Sequence, residues 1–160
     1  MREALIVSTA RTPIGKAYRG AYNNTTAPTL AGIAVKEAVK RAGVDPNQVD
    51  DVIMGAALQQ GTTGGNIGRL AALAGGLPAT VSGMSIDRQC SSGMMAIATA
   101  ADLWILSASP GRHRCSRCLS QRGPSSPLDE PSDGSWFCLA LGIQFSCFYT
   151  GALTTSFACE

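Results

Sequence analysis

The pattern of apolar and polar positions predicts alternating strands and helices over the first hundred residues. Residues 4–7 form a continuous apolar run, which is typical of a strand buried on both faces of a sheet. Residues 52–58 and 81–86 predict a second and a third strand. Strands that alternate with helices favour parallel pairing and right-handed crossovers, so the fold class we predict is α/β.

Three segments predict helices, at residues 28–43, 66–76 and 91–106. The first is amphipathic: one face carries Ala31, Ala34, Val35, Ala38 and Ala42, and the other carries Lys36, Glu37, Lys40 and Arg41. Gly43 predicts its end. The helix at 91–106 is apolar almost all round, which predicts burial on every side.

The composition changes after about residue 102. The remainder contains no Lys, Val, Asn or Met, and it holds the only histidine and five of the six cysteines. Residues 107–135 are rich in Ser, Pro and Arg, which indicates a disordered or linker-like segment. Residues 136–159 are apolar without strict alternation or a helical stripe, so we expect an irregular tail.

Charge and the N-terminal pattern exclude several function classes. The formal net charge is only +2 and no long basic run is present, so neither nucleic acid nor a membrane surface is expected as a partner. The apolar run at residues 4–7 is too short for a signal peptide or a membrane span. We therefore expect a cytoplasmic protein without a disulfide framework.

Cys90 stands where chemistry is most expected. It lies between the strand predicted at 81–86 and the helix predicted at 91–106. Free N–H groups and the dipole at a helix N-terminus favour an anion such as a thiolate, and the same N–H groups stabilise an oxyanion. Arg88 adds positive charge, and Gly93 permits close approach of a ligand or backbone. The competing interpretation is a buried structural thiol.

The tail offers only weak chemical motifs. His113 is one candidate base for Cys90, and the alternative is a solvated histidine in a basic segment. Cys115 and Cys118 form a C-x-x-C pair, but the spacing around it matches no common zinc site and its Ser/Pro-rich surroundings do not suit a redox motif. We predict no metal site. The acids Asp45, Asp50 and Asp51 are interpreted as a solvated turn.

Four segments carry a resemblance to a known family. The segment "IDRQCSSGMMAI" at 86–97 resembles the nucleophile segment of the thiolases, the acetyl-CoA C-acetyl/acyltransferases. In chain order, "VSTARTPIGKAYRG", "KEAVKRAGVDPNQVDDVIMG" and "GGNIGRLAALAGGLPATV" resemble other parts of the same N-terminal half. The resemblance covers about residues 1–102. Asp87 departs from it, because many members carry Asn there.

The resemblance implies a function and one site residue. Cys90 matches the cysteine that the acyl-CoA substrate acylates, and its N–H would form part of an oxyanion hole. The loop at 59–69 resembles a segment near the dimer interface and the active site. The resemblance also implies thiolysis of 3-ketoacyl-CoA or condensation of two acetyl-CoA. It implies a homodimer or homotetramer, and no cofactor beyond the coenzyme A thioester that serves as substrate. No cofactor-binding residue is assigned.

The family's later motifs are not visible in this sequence. These are an activating histidine, a second cysteine, an asparagine of the other oxyanion hole and a loop domain that contacts coenzyme A. We therefore interpret residues 1–106 as the N-terminal part of a thiolase-like layered α/β/α/β/α fold, truncated and inactive alone. Residues 107–160 are interpreted as an unrelated tail, frame-shifted or disordered. The alternatives are a non-catalytic assembly module that docks on intact thiolase subunits, and a related ketoacyl-synthase-type condensing enzyme.

Overall fold

A computed structural model describes residues 4–13, 15–16, 18–107, 137–146 and 150–158 of the chain. Its strands are β1 (Ile6–Arg11), β2 (Gly15–Lys16), β3 (Val49–Ala56), β4 (Ser82–Ile86), β5 (Phe137–Ser146) and β6 (Thr150–Ala158). Its α-helices are α1 (Ala27–Ala42), α2 (Ile67–Ala74) and α3 (Ser92–Ser107). Short 3₁₀ turns lie at Pro46–Gln48, Gly61–Thr63 and Gln89–Ser91.

The strands form one mixed sheet in the order β1-β6-β5-β3-β4, with β2 paired to β6. Strand β3 is parallel to both of its neighbours, β4 and β5. Strand β6 is antiparallel to β5 and β1. The N-terminal strand is therefore an edge strand, and it is joined to β3 only through the two strands of the tail.

Helices cover both faces of β3. On one side Val52 and Met54 pack with buried residues of α1 and α2, including Val35 and Ala71. On the other side Ile53 packs with buried residues of α3. Because successive side chains of a strand point to opposite faces, the fully buried run of β3 supplies both cores. The described part of the chain is thus a helix–sheet–helix sandwich.

Most predicted elements are confirmed. Strands β3 and β4 are parallel, as predicted. The predicted apolar face of α1 is buried at Ala31, Ala34, Val35 and Ala38. The helix ends at Ala42, and Gly43 follows with φ 70°, a left-handed conformation that glycine adopts without steric cost. The layered α/β fold class predicted from the sequence is confirmed.

The prediction that residues 4–7 form a strand buried on both faces is wrong. Strand β1 begins at Ile6, which is 57% exposed, and Leu5 and Val7 are also exposed. The reason is that β1 is an edge strand on which α1 packs against one face, through Ser8 and Ala10. On the covered face Ser8 is buried, and its hydroxyl donates a hydrogen bond to the carbonyl of Ala38.

The prediction that α3 is buried on every side is also wrong. Ala96 and Ala100 are fully buried against the sheet, but Met94 is 73% exposed and Leu103 and Ile105 are exposed as well. Within the part of the chain that the structure describes, no layer covers this outer face. No helix among these residues has both the length and the apolar character needed to cross a bilayer.

The described part of the tail differs from the irregular segment expected there. Residues 137–146 and 150–158 form β5 and β6, an antiparallel pair inserted between β1 and β3. The sequence of β5 is apolar from Phe137 to Ile143, so it gave no period-2 signal. The interpretation of residues 107–160 as a separate unrelated tail stays a prediction, and residues 108–136 lie outside the described residues.

Candidate functional site

The candidate site is the turn that joins β4 to α3. Cys90 is the middle residue of the 3₁₀ turn Gln89–Ser91. This turn ends directly before Ser92, the first residue of α3. Its thiol is free and exposed. The predicted order of strand, turn, cysteine and helix is confirmed, and the exposure contradicts the interpretation of Cys90 as a buried structural thiol.

Ser92 closes this turn from inside. Its side chain is 1% exposed. The hydroxyl donates a hydrogen bond to the carbonyl of Gln89 (2.7 Å) and accepts one from the amide of Arg88 (2.9 Å). Gln89 itself has φ 47°, a left-handed conformation that only a few per cent of non-glycine residues adopt. The backbone before Cys90 is thus bent sharply and held by one buried hydroxyl.

The amide of Cys90 donates no hydrogen bond within the described part of the chain. The neighbouring amides are engaged, since Gln89 donates to the Asp87 carboxylate (2.9 Å) and Ser91 donates to the Arg88 carbonyl (3.0 Å). The Cys90 amide makes no such bond. A free N–H beside an exposed thiol is able to bind the oxyanion that forms when the thiol attacks a carbonyl.

The loop expected near the active site is tied to the strand that leads to Cys90. Asn66, the last residue before α2, caps that helix by accepting a hydrogen bond from the amide of Arg69. Its side chain also donates to the carbonyl of Gly83 (2.6 Å) and accepts from the hydroxyl of Ser85 (3.1 Å). Both partners lie on β4. The structure therefore brings the end of the 59–69 loop to the strand that precedes Cys90.

Charges of both signs flank the turn. Arg88 and Asp87 are both exposed, so the positive charge expected from Arg88 is accompanied by a carboxylate two residues before Gln89. Elsewhere, Asp45 is an exposed cap whose hydrogen bonds from Asn47 lower its pKa. Asp51 is not in a solvated turn as expected: it lies in β3, where burial raises the pKa of its carboxyl.

The weak motifs of the tail receive no support. His113, Cys115 and Cys118 lie outside the described residues. Within the described ranges, no group of three or more His, Cys, Asp or Glu side chains could hold a metal ion.

Two polar residues of the site were missed from the sequence alone. Asn66 was not predicted as the cap of α2, although an asparagine before an apolar helix is a strong capping signal. Ser92 was assigned no hydrogen bond, although serine in a turn often bonds to a nearby backbone group. The partners of Ser92 are local, three and four residues earlier, whereas the β4 partners of Asn66 are 17 and 19 residues away.

A comparison with protein families matches residues 4–108 to the thiolase N-terminal domain. The match reaches six residues beyond the end of the resemblance seen in the sequence. A 3-ketoacyl-CoA thiolase of Bacillus subtilis is 44% identical over 108 residues, which are 68% of this chain and 28% of the relative. An acetyl-CoA acetyltransferase of Cupriavidus necator is 45% identical over 102 residues, 64% of this chain and 25% of the relative.

Solved structures agree with this match. The acetyl-CoA acetyltransferase of Bacillus anthracis superposes with a TM-score of 0.65 at 36% identity, over 89% of this chain and 29% of that chain. The Acat5 thiolase of Ascaris suum, solved with coenzyme A, gives a TM-score of 0.63 at 25% identity, over 89% of this chain and 30% of that chain. The structural matches therefore cover more of the chain than the sequence matches, which cover 68% at most among these relatives.

The matched segment spans about a quarter of the length of the curated relatives. The family model nevertheless covers well over half of this chain, and the fold, the Cys90 turn and the sequence matches all agree. The chain belongs to the thiolase family, through the N-terminal domain of that family.

Proposed function

We propose that this chain carries the nucleophile of a thiolase-type acyltransferase, with Cys90 as the catalytic residue. The observation that carries the proposal is the exposed Cys90 thiol beside its own free amide, at the N-terminus of α3. Membership of the thiolase family supports it, because relatives are named as thiolases and acetyl-CoA acetyltransferases.

The reaction has two steps. The sulfur of the Cys90 thiolate forms a bond to the carbonyl carbon of an acyl-CoA thioester, and the carbonyl oxygen becomes an oxyanion that the Cys90 amide binds. The carbon–sulfur bond to coenzyme A then breaks, so the acyl group stays on Cys90 and coenzyme A leaves as a thiolate that takes up the proton released by Cys90. In the second step another coenzyme A thiol or an acetyl-CoA carbanion removes the acyl group. A covalent intermediate divides one difficult transfer into two easier ones.

The remaining expectations belong to the same proposal. The substrate is an acyl-CoA or acetyl-CoA, which the coenzyme A complex of the Ascaris suum thiolase supports. The reaction needs no metal or other cofactor, and the active assembly is a homodimer or homotetramer in the cytoplasm. We propose that these 160 residues alone do not complete the cycle, because the matched part of the relatives is only about a quarter of their length.

Acylation of Cys90 tests the proposal directly. Trypsin cuts after Arg88 and Arg112, so the peptide of residues 89–112 contains Cys90 as its sole cysteine. The full chain is incubated with acetyl-CoA, and this peptide is examined by mass spectrometry. We expect an acetyl group on Cys90, loss of the acetyl group with hydroxylamine and no such mass in Cys90→Ser. If acetyl-CoA neither acetylates Cys90 nor protects it from iodoacetamide, the catalytic proposal fails and the assembly-module alternative takes its place.

A further inference from the structure

The turn around Cys90 is held by contacts that Cys90 itself does not make. Ser92 is the one buried polar side chain of this turn, and its hydroxyl has two partners, the Arg88 amide and the Gln89 carbonyl. These two groups lie on the N-terminal side of Cys90, whereas Ser92 lies on its C-terminal side. The hydroxyl therefore joins the two ends of a loop that has Cys90 at its tip.

The conformation of Gln89 is not one that the chain would adopt without such restraints. The left-handed region is unfavourable for any residue that carries a Cβ atom. Gln89 is held there at both of its backbone groups: its amide donates to Asp87 and its carbonyl accepts from Ser92. Backbone strain of this kind persists only when the surroundings restrain it, and it is concentrated at functional sites.

The sheet lies directly under the start of α3. Gly55 of β3 lies directly beneath Ser92 and Gly93, since a Cβ atom built on Gly55 would lie 2.5 Å from the Gly93 nitrogen. The backbone of β3 thus supports the first turn of α3. The result is a loop fixed by Ser92 from inside and by Gly55 from below.

We infer that Ser92 is a positioning residue, which together with the left-handed Gln89 fixes the Cys90 amide relative to the Cys90 thiol so that an oxyanion formed on that thiol meets the N–H. This inference rests on the proposed function, because it concerns the same acyl transfer. It assigns Ser92 no contact with the substrate. Its consequence is that reactions passing through an oxyanion depend on Ser92 far more than reactions that only need an accessible thiol.

Two small reagents separate these requirements without coenzyme A. Attack of Cys90 on p-nitrophenyl acetate forms a tetrahedral oxyanion, which collapses to acetyl-Cys90 and releases p-nitrophenolate. Alkylation by iodoacetamide displaces iodide directly and forms no oxyanion. Both products are quantified on the 89–112 peptide of the full chain, and the readout is the ratio of the acylation rate to the alkylation rate at Cys90.

Ser92→Ala is compared with Ser91→Ala. The control deletes the hydroxyl of the preceding serine, which is exposed. We expect the ratio to fall about tenfold in Ser92→Ala, consistent with the loss of a buried hydrogen-bond partner, and to change by less than about twofold in Ser91→Ala. Circular dichroism and thermal melting establish that each variant is folded. Equal ratios for the two folded variants would overturn the inference.

Gln89 gives an independent test if Ser92→Ala does not fold. Glycine adopts positive φ freely, whereas a β-branched residue strongly disfavours it. Gln89→Gly is expected to keep the parent ratio and Gln89→Val to lower it about tenfold; the same ratio in both variants contradicts the inference. Failure of acetyl-CoA to acylate the parent chain would count against the proposed function alone, because both tests here use p-nitrophenyl acetate.

Discussion

The carboxylate of Asp87 accepts a hydrogen bond from the amide of Gln89 at 2.9 Å, so a negative charge is held within three residues of the Cys90 thiol. The hydrogen bond helps to maintain the left-handed turn, while the charge of the carboxylate repels anionic reagents that approach Cys90. The two effects can be separated, because asparagine keeps the accepting oxygen and removes the charge.

Asp87→Asn is therefore expected to make Cys90 more accessible to anionic reagents. Exposed charges interact by roughly 0.2–1 kcal/mol, so at low ionic strength the rate of alkylation by the anion iodoacetate, divided by the rate with neutral iodoacetamide, should rise about 1.4-fold to fivefold. The difference from the parent should shrink at high salt, where the charge is screened. Asp102→Asn removes another exposed acid, on α3, and should leave the ratio unchanged. An unchanged or lower ratio in Asp87→Asn would contradict repulsion of anionic reagents by this carboxylate.

Gly55→Ala should disturb the start of α3. The added methyl would press on the backbone of Ser92 and Gly93, and overpacking of this kind costs about 1–3 kcal/mol. We expect a lower free energy of unfolding in urea, together with slower acylation of Cys90 by p-nitrophenyl acetate. Gly64→Ala is the matched control, because Gly64 has φ −68° and its nearest neighbouring atom would lie 3.1 Å away. Equal stability losses in the two variants would contradict the close packing of β3 and α3.

The Asp51 carboxyl should make the stability of the protein depend on pH. Burial raises its pKa in the folded state above the ordinary value of 3.8, so the folded chain binds the proton more tightly than the unfolded chain. The free energy of unfolding should then fall as the pH rises from 3.8 through the folded-state pKa. Asp51→Asn removes this loss. The stability of the variant relative to the parent should therefore be greater at pH 7 than at pH 3. Asp45→Asn is the control with the opposite sign, since the pKa of Asp45 is lowered.

Strands β5 and β6 should be required for the sheet. Leu141 lies at the centre of β5, opposite Met54 of β3 and Thr155 of β6. Its N–H therefore points toward a paired strand, whichever side it is on. Leu141→Pro removes that donor and should cost about 2 kcal/mol or more, seen as a lower Tm. Ser146→Pro, at the end of the same strand, should cost less. If both variants melt like the parent, β1 does not depend on the strands of the tail.

The sequence by itself determined the order of the elements up to Ser107 and the position of Cys90. Local signals were sufficient for this. The spacing of Ala31, Val35 and Ala38 defined the buried face of α1, and Gly43 defined its end, because both depend only on residues within one or two turns. The resemblance in the segment around Cys90 was equally local, and the family match confirmed it.

Only the tertiary structure decided which strands are neighbours and what each surface meets. The same apolar character makes β3 a central strand and β1 an exposed edge, because strand order is set by pairing between distant residues such as Thr9 and Ser156. The outer face of α3 is exposed at Met94 for the same reason: burial depends on what packs against a helix and not on its own composition. The support that Gly55 gives to Ser92 joins residues 37 positions apart, and no local pattern contains it.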